Sequence, residues 1–381
     1  GIYVEQWGQI FTFEREESES IYTLEELIKH EYSHYLVGRY LSQGGWGEGE
    51  FYDDDRITWF NEGVFDAWNH LESVMALNVL GFKKEKNLGF EYLINSQLED
   101  GSWYGQLGST VEFDEDTGSF VGKESDAGNF TRDTNFSAYI ATASWHDYLI
   151  NKSKEDLLKL WPTIYNAISF VIENQSVNGE IRWAAEDENA PNDDALVTGC
   201  CSIYKSLICA INCAKVLEIN VDEWKESLKK LGDAIKNKPE LFDRTWDSKQ
   251  RFSMDWYYPI LCGLVSKKEA KEKLFSKWEK FVVDGIGCKC VKDQPWVTIA
   301  ETAELAITLK KIGESKLAEE MLSYTHQWKD ENGAYWMGRQ YEQEVFWPKE
   351  RPPWTSAAVI LAYDTIYELS DGSSLFLNDS L

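Results

Sequence analysis

Helical segments follow one another almost without a break from residue 64 to residue 369, and that succession limits the fold more than any single motif. The segments are 64–80, 84–97, 134–150, 154–174, 194–217, 221–236, 254–265, 267–281, 298–313, 315–328 and 354–369. Paired in order, they give five hairpins and an eleventh helix left over. That is close to the six hairpins of an α/α barrel. The chain is therefore expected to be mainly α, with an α/α toroid over residues 65–381 and a small α+β segment over residues 1–64.

The connectors after the even helices share a polar turn followed by an aromatic residue. They read Asp100-Gly101-Ser102-Trp103, Asn178-Gly179-Glu180-Ile181-Arg182-Trp183, Asp293-Gln294-Pro295-Trp296 and Asn332-Gly333-Ala334-Tyr335-Trp336. This is a degenerate repeat. In an up-down array such connectors emerge at one end, so the Trp residues are expected to ring one mouth of the barrel. The plainer reading is that each Trp packs over a hairpin end.

Asp and Glu number 65 against 38 Lys and Arg, a formal charge of −27. Such a surface repels phosphate backbones and anionic bilayers, so neither nucleic acid nor membrane is an expected partner. No uninterrupted apolar run of about 18 residues exists, so no membrane-spanning helix is expected. The chain begins at Gly1 without a signal-peptide pattern, as a processed product or a fragment would. Its seven cysteines sit mostly in apolar helical stretches and read as reduced core residues.

Residues 2–6 and 9–14 are β-rich and separated by Trp7-Gly8, which predicts a hairpin. Thr23 and Glu26 form a capping box ahead of a helix over about 24–42. On that helix His30 and His34 stand four residues apart and share a face, a spacing at which two imidazoles bind one Zn²⁺. Glu31, beside the first ligand, can take a proton from metal-bound water. Glu62, on a helix expected to begin near Asp55 and run through Trp68 to about Leu80, can supply the third ligand. The bland alternative is two surface histidines on a charged helix.

His30-Glu-Tyr-Ser-His-Tyr-Leu-Val-Gly-Arg-Tyr40 and Arg56-Ile-Thr-Trp-Phe-Asn-Glu-Gly63 resemble clostridial-type collagenases of the gluzincin class. The likeness covers residues 1–64. It implies zinc held by His30, His34 and Glu62, Glu31 as general base, and a peptide or protein substrate. The part of those enzymes that completes the cleft is not recognisable further on, so zinc binding is expected ahead of efficient proteolysis.

From Asp66 to Glu368 the chain resembles bacterial α/α-toroid proteins of the prenyltransferase or terpene-cyclase-like kind. The likeness is carried by Asp133-Thr-Asn-Phe136, Leu196-Val-Thr-Gly-Cys-Cys-Ser-Ile-Tyr204, Ser253-Met-Asp-Trp-Tyr-Tyr-Pro259, Ala300-Glu-Thr-Ala-Glu304 and Trp354-Thr-Ser-Ala-Ala358. It names a fold rather than a reaction. A diphosphate-binding acid cluster is not evident: Asp53-Asp54-Asp55 lies outside the toroid and Asp193-Asp194 lacks a following acid.

Acids recur near the starts of the odd helices: Glu72, Asp133, Asp193, Asp194, Asp255 and Glu301. Carboxylates among Trp rings such as Trp296 and Trp336 suit carbohydrate, and a pair with split pKa values can do glycosidic acid/base work. Asp255 and Glu301 are the candidates for that pair. Each acid could instead cap a helix or favour its dipole. The sequence thus carries a leading expectation, a zinc-dependent metallopeptidase joined to a toroid, and two alternatives. One is a carbohydrate-active or carbohydrate-binding toroid, the other a non-catalytic scaffold. The collagenase-like stretch implies secretion, whereas the unpaired cysteines imply a reducing compartment.

Overall fold

The computed structural model describes residues 2–4, 9–11, 64–105, 107–114, 119–124, 131–185, 194–348 and 350–379. Strands β1 (Ile2–Val4) and β2 (Gln9–Phe11) pair antiparallel, Ile2 opposite Phe11, as the hairpin reading expected. The capping box and the helix expected after it lie outside the described residues.

Among the described residues there are eleven helices of at least nine residues. They are α1 (Ala67–Val79), α2 (Lys83–Ser96), α3 (Thr134–Asn151), α4 (Lys154–Glu173), α5 (Val197–Leu217), α6 (Asp222–Asn237), α7 (Ser253–Leu261), α8 (Lys267–Ser276), α9 (Ile299–Lys311), α10 (Ser315–Tyr324) and α11 (Pro353–Tyr367). The odd helices pack in sequence and α11 closes on α1, making an inner ring of six. The even helices lie outside them. The expected α/α toroid is therefore the observed fold, and α11 fills the sixth inner position.

Composition explains which helices go inside. Helix α5 buries Cys200, Cys201, Ser202, Ser206, Cys209, Ala210, Cys213 and Ala214, so small residues face neighbours on nearly every side. Helix α3 does likewise, and Thr142 on α3 meets Ser206 on α5 at 2.9 Å. Small side chains let six helices crowd one axis. Helix α5 is also long and apolar enough to cross a bilayer, but 78% of its apolar window is buried within the toroid. Its apolarity serves the core. Outer helix α6, by contrast, buries one face (Trp224, Leu228, Leu231) and solvates the other. All seven cysteines are free thiols, and burial pushes Cys200 up to about 12 and Cys209 up to about 11.

Every inner helix ends at a left-handed residue: Gly81, Lys152, Glu218, Gly263, Gly313 or Glu368, with φ between +53° and +88°. At five of these ends the following amide reaches back to the carbonyl five residues earlier, at 2.9–3.2 Å. This is the Schellman closure, and at α1, α5, α7 and α9 it turns the inner helix directly into its outer partner.

The connectors from outer to inner helices are longer and carry the strands. Strand β3 (Val64–Phe65) pairs with β4 (Leu107–Asp114), which pairs with β5 (Ser119–Glu124). Strands β6 (Arg132–Asp133) and β7 (Ala184–Ala185) pair in front of α3 and α5. Strands β8 (Val282–Val283), β9 (Gly287–Lys289), β10 (Trp296–Thr298), β11 (Gly338–Gln340) and β12 (Val345–Phe346) form a five-stranded antiparallel sheet in that spatial order.

Strand β3 corrects one expectation. The helix through Trp68 does not run on from residue 55. Val64 and Phe65 are extended, and Asp66 starts α1 afresh by accepting the Asn69 amide at 2.8 Å.

The repeated turns have a mechanical role. Gln97 donates through Nε2 to Gly101 O at 2.8 Å and to Thr163 O of α4 at 3.0 Å. Gln175 repeats the arrangement with Gly179 O at 2.9 Å and Ser227 O of α6 at 3.1 Å. Each amide ties one outer helix to the next. Gly101 has φ +91°, and a Cβ there would collide with the Asn166 carbonyl.

Candidate active site

The inner helices run parallel, because an antiparallel outer helix separates each from the next. Their N-termini therefore gather at one end, under the long connectors. The acids expected from the sequence divide there into those used by the backbone and those left over.

Asp133 caps α3, accepting the Phe136 amide at 2.9 Å; burial nevertheless pushes its carboxyl up to about 7. Asp194 accepts the amides of Ala195 at 2.7 Å and Thr245 at 2.6 Å and the Thr245 hydroxyl at 2.9 Å. Burial works against its ionisation, but those donors and the Arg244 amide together hold it below the ordinary aspartate value. Both are structural acids. Asp193 lies outside the described residues. Asp66, which the sequence reading passed over, caps α1 and is pushed up to about 6 by burial.

Asp255 and Glu301 are different. Asp255 lies in the first turn of α7, and its Oδ1 is buried with no hydrogen-bond partner. Burial pushes its carboxyl up to about 6, helped by the charge of Asp243 and opposed by Lys277. Glu301 lies in the first turn of α9, the next inner helix, partly exposed and hydrogen-bonded by the Cys290 thiol. The segment carrying Cys290 is pinned to the start of α7 by the Ser253 amide, which donates to the Cys290 carbonyl at 2.9 Å. The two first turns are thus held side by side, and neither acid is spent on a cap.

One helical turn deeper, α1 and α9 bring in Glu72 and Glu304. Glu304 accepts from the hydroxyls of Tyr257 and Tyr258, and Glu72 accepts Trp68 Nε1 at 3.0 Å. Burial raises both carboxyls, Glu304 to about 7, and the Glu304 charge raises Glu72 further. The pair lines a cavity of ≈ 20 Å³, room for about one water, which Lys205 and Phe376 also line. Glu304 was visible in the sequence only as part of a toroid motif.

The aromatic residues also divide. Trp103 is fully buried, its Nε1 donating to Leu93 O at 3.0 Å. Trp336 is buried too, stacked on Phe346 at 4.7 Å with the Arg351 guanidinium on it at 5.1 Å. The expectation that Trp336 lines the mouth is corrected: its ring is consumed by packing, as Arg351 pairs with Asp330 beneath it. Trp183 and Trp296 remain partly exposed. Each has an edge-to-face partner that sequence reasoning missed, Trp246 at 6.0 Å and Trp347 at 5.1 Å. Neither partner lies in the repeated turn, so the repeat gave no signal for them.

His30, Glu31, His34 and Glu62, and the zinc expected with them, lie outside the described residues. Among the described residues no three His, Cys, Asp or Glu side chains gather as a metal site needs.

Comparison with known proteins decides between the readings. The chain is 38% identical over 320 residues to the MMP endo-(1,4)-3-O-methyl-α-D-mannosidase of Mycolicibacterium hassiacum, covering 84% of each chain. The chain belongs to the family of that mannosidase. A wild-type glycosidase shares the toroid fold with the mannosidase-family chain, at a TM-score of 0.63 and 12% identity, covering 91% of this chain and 97% of the other. Residues 1–78 match the collagenase peptidase family. Collagenase ColA of Clostridium perfringens is 34% identical over 212 residues, 51% of this chain, but the match spans only 18% of that protein.

Membership in the mannosidase family overturns the zinc-metallopeptidase reading, and the peptide substrate and the prenyltransferase-like label lose their support with it. The physical reason is where the material lies. The collagenase likeness takes in a small fraction of a collagenase, whereas among the described residues the free acids and the exposed Trp pairs belong to the toroid.

Proposed function

We propose that the chain is an endo-acting glycoside hydrolase that cuts α-(1,4)-linked mannose-type glycans at the connector end of the toroid. The observation that carries this reading is the 38% identity to the mannosidase over 84% of both chains. The chemistry is assigned to residues 65–381, and no step to residues 1–64.

Asp255 is the general acid. Desolvation keeps it protonated at mildly acid pH, and its partnerless oxygen can give that proton to the glycosidic oxygen as the bond to the anomeric carbon breaks. Glu301, partly open to solvent, takes a proton from the water that attacks the anomeric carbon. The buried, unpartnered Oδ1 of Asp255 supports its role as the acid, and Glu301 on the neighbouring first turn is placed to serve as the base. Asp133 and Asp194 orient the connectors and touch no reacting atom.

The test is direct. Purified protein incubated with α-(1,4)-linked mannooligosaccharides, 3-O-methylated and unmethylated, is expected to release new reducing ends. It should do so fastest below about pH 6, with the rate falling as Asp255 ionises. If no reducing ends appear across that panel between pH 4 and 8, the reading is wrong.

A further inference from the structure

The two exposed Trp pairs occupy particular places on the rim. Trp183 precedes α5 and Trp246 precedes α7, so the first pair bridges two adjacent connectors. Trp296 precedes α9 and Trp347 precedes α11, so the second pair bridges the next two. Asp255 on α7 and Glu301 on α9 fall at the boundary between the pairs. Going round the rim, the order is aromatic pair, acid pair, aromatic pair.

Both aromatic pairs are fixed rather than loose. Trp246 Nε1 donates to Asp243 Oδ1 at 2.9 Å, and Lys249 covers one face of its ring at 5.2 Å, which leaves Trp183 as the stacking ring of that pair. Trp296 Nε1 donates to Trp347 O at 2.7 Å. Its ring sits over Gly338, where a Cβ would stand 2.5 Å from Nε1, so the strand is bare there to admit it. Trp347 is 50% exposed although it is the largest side chain type. A rigid, partly wet indole held beside acids suits the apolar face of a pyranose ring, with the acids and backbone left for its hydroxyls.

We infer that Trp183 and Trp347 are two sugar-binding platforms on opposite sides of the scissile bond, so that the site grips a glycan running across the mouth rather than a chain end. This rests on the glycoside-hydrolase reading and adds what that reading lacks, namely which residues bind the glycan on each side of the cut. Sugars on one side stack on Trp183 and those on the other on Trp347, while Asp255 and Glu301 meet the bond between them.

The experiment uses a ladder of α-(1,4)-linked mannooligosaccharides, from disaccharide to octasaccharide, with Trp183→Ala, Trp347→Ala and the two Trp→Phe variants. Each Ala variant is expected to raise KM for the longest glycan about tenfold, with Phe restoring most of the loss. The ratio of long-glycan to short-glycan kcat/KM should collapse. The decisive readout is the product pattern: the two Ala variants should shift the cut in opposite directions along the octasaccharide, which a general loss of folding cannot do. If the wild type cleaves the ladder and both variants keep its pattern and length dependence, the platforms are refuted while the hydrolase reading stands. Calorimetric binding of the octasaccharide that depends on both Trp residues, without cleavage, refutes the hydrolase reading and keeps the platforms. No binding and no cleavage refutes both.

Discussion

The two ends of this barrel are built from the same helices in opposite ways. At one end, inner helices turn into outer helices through two to five residues, as at 152–153 and 262–266, each closed on a left-handed residue. At the other, outer helices return through 15 to 37 residues, as at 238–252 and 97–133, and these connectors carry the strands and exposed indoles. The closed end is finished with a buried charge cluster. Lys311 Nζ donates to Phe376 O at 2.6 Å and Asp379 at 2.5 Å, and Lys205 Nζ donates to Asn378 O at 2.7 Å. The open end keeps Asp255 with an unpartnered oxygen and Glu301 free of any capping duty. Satisfied polar groups hold the fold together, and unsatisfied ones are available for chemistry.

The sharpest way to break that contrast is Asp255→Asn. Cleavage should fall about 10²- to 10⁴-fold while the unfolding midpoint stays or rises, because a buried unpaired carboxyl is removed; equal loss of both would mean Asp255 is structural. Next in size is Gly101→Ala, where φ +91° and the Asn166 carbonyl both oppose a side chain. It is expected to lower stability by about 3 kcal/mol in urea titration. At the closed end Asp379→Ala takes the carboxylate from two buried lysines, which keep their backbone carbonyl acceptors, and should lower stability by about 2 kcal/mol, discounted because Asp379 is 36% exposed.

A smaller effect is expected from pH, and the open end sets its sign. Asp66, Asp133, Asp255 and Glu304 hold their protons more tightly in the folded chain than in the unfolded one, with carboxyls raised to between about 6 and about 7. Their contribution to stability is full below the unfolded values near 4 and is lost as pH climbs to about 7. At the closed end Lys311, depressed to about 8 chiefly by burial, does not titrate in that window, and His146, lowered to about 3 by burial, offsets part of the fall, because only its unfolded form takes up a proton there. The Tm should therefore fall between about pH 4 and 7, and Asp133→Asn, which keeps the cap, should flatten the fall. Smallest is Gly313→Ala at the closed end, where nothing lies within 4 Å of a new Cβ and only φ +88° opposes it. About 1 kcal/mol is expected.

Much of the fold was legible because helices of nine to 21 residues repeat their apolar spacing several times. The expected spans for α3 and α4 differ from the observed ones by a single residue. Strands of two or three residues, such as Val282–Val283, complete too little of a period to register. The start of α1 was misread because Val64 and Phe65 fit a helical face as well as a strand, and pairing with Leu107 and Gly108 decides it. Asp255 and Glu301 were named from the sequence among six recurring acids, but that they are the ones left free was not legible there. His30-Glu31-x-x-His34 is compact and draws the eye, whereas Asp255 and Glu301 stand on separate helices and become neighbours only when α7 and α9 pack. Which acids are caps and which are free, and whether Trp336 or Trp347 faces solvent, depends on partners far along the chain.

The side-chain amides of Gln97 and Gln175 have a consequence for how the molecule comes apart. Each joins a hairpin to its successor through the carbonyls of the next outer helix, so the arc from α2 to α6 is stitched edge to edge as well as through the core. A hairpin that loosens withdraws a tie to its neighbour's outer helix. Denaturation of that arc is thus expected as one concerted step rather than hairpin by hairpin, in contrast with open solenoids, whose repeats can fray from an end.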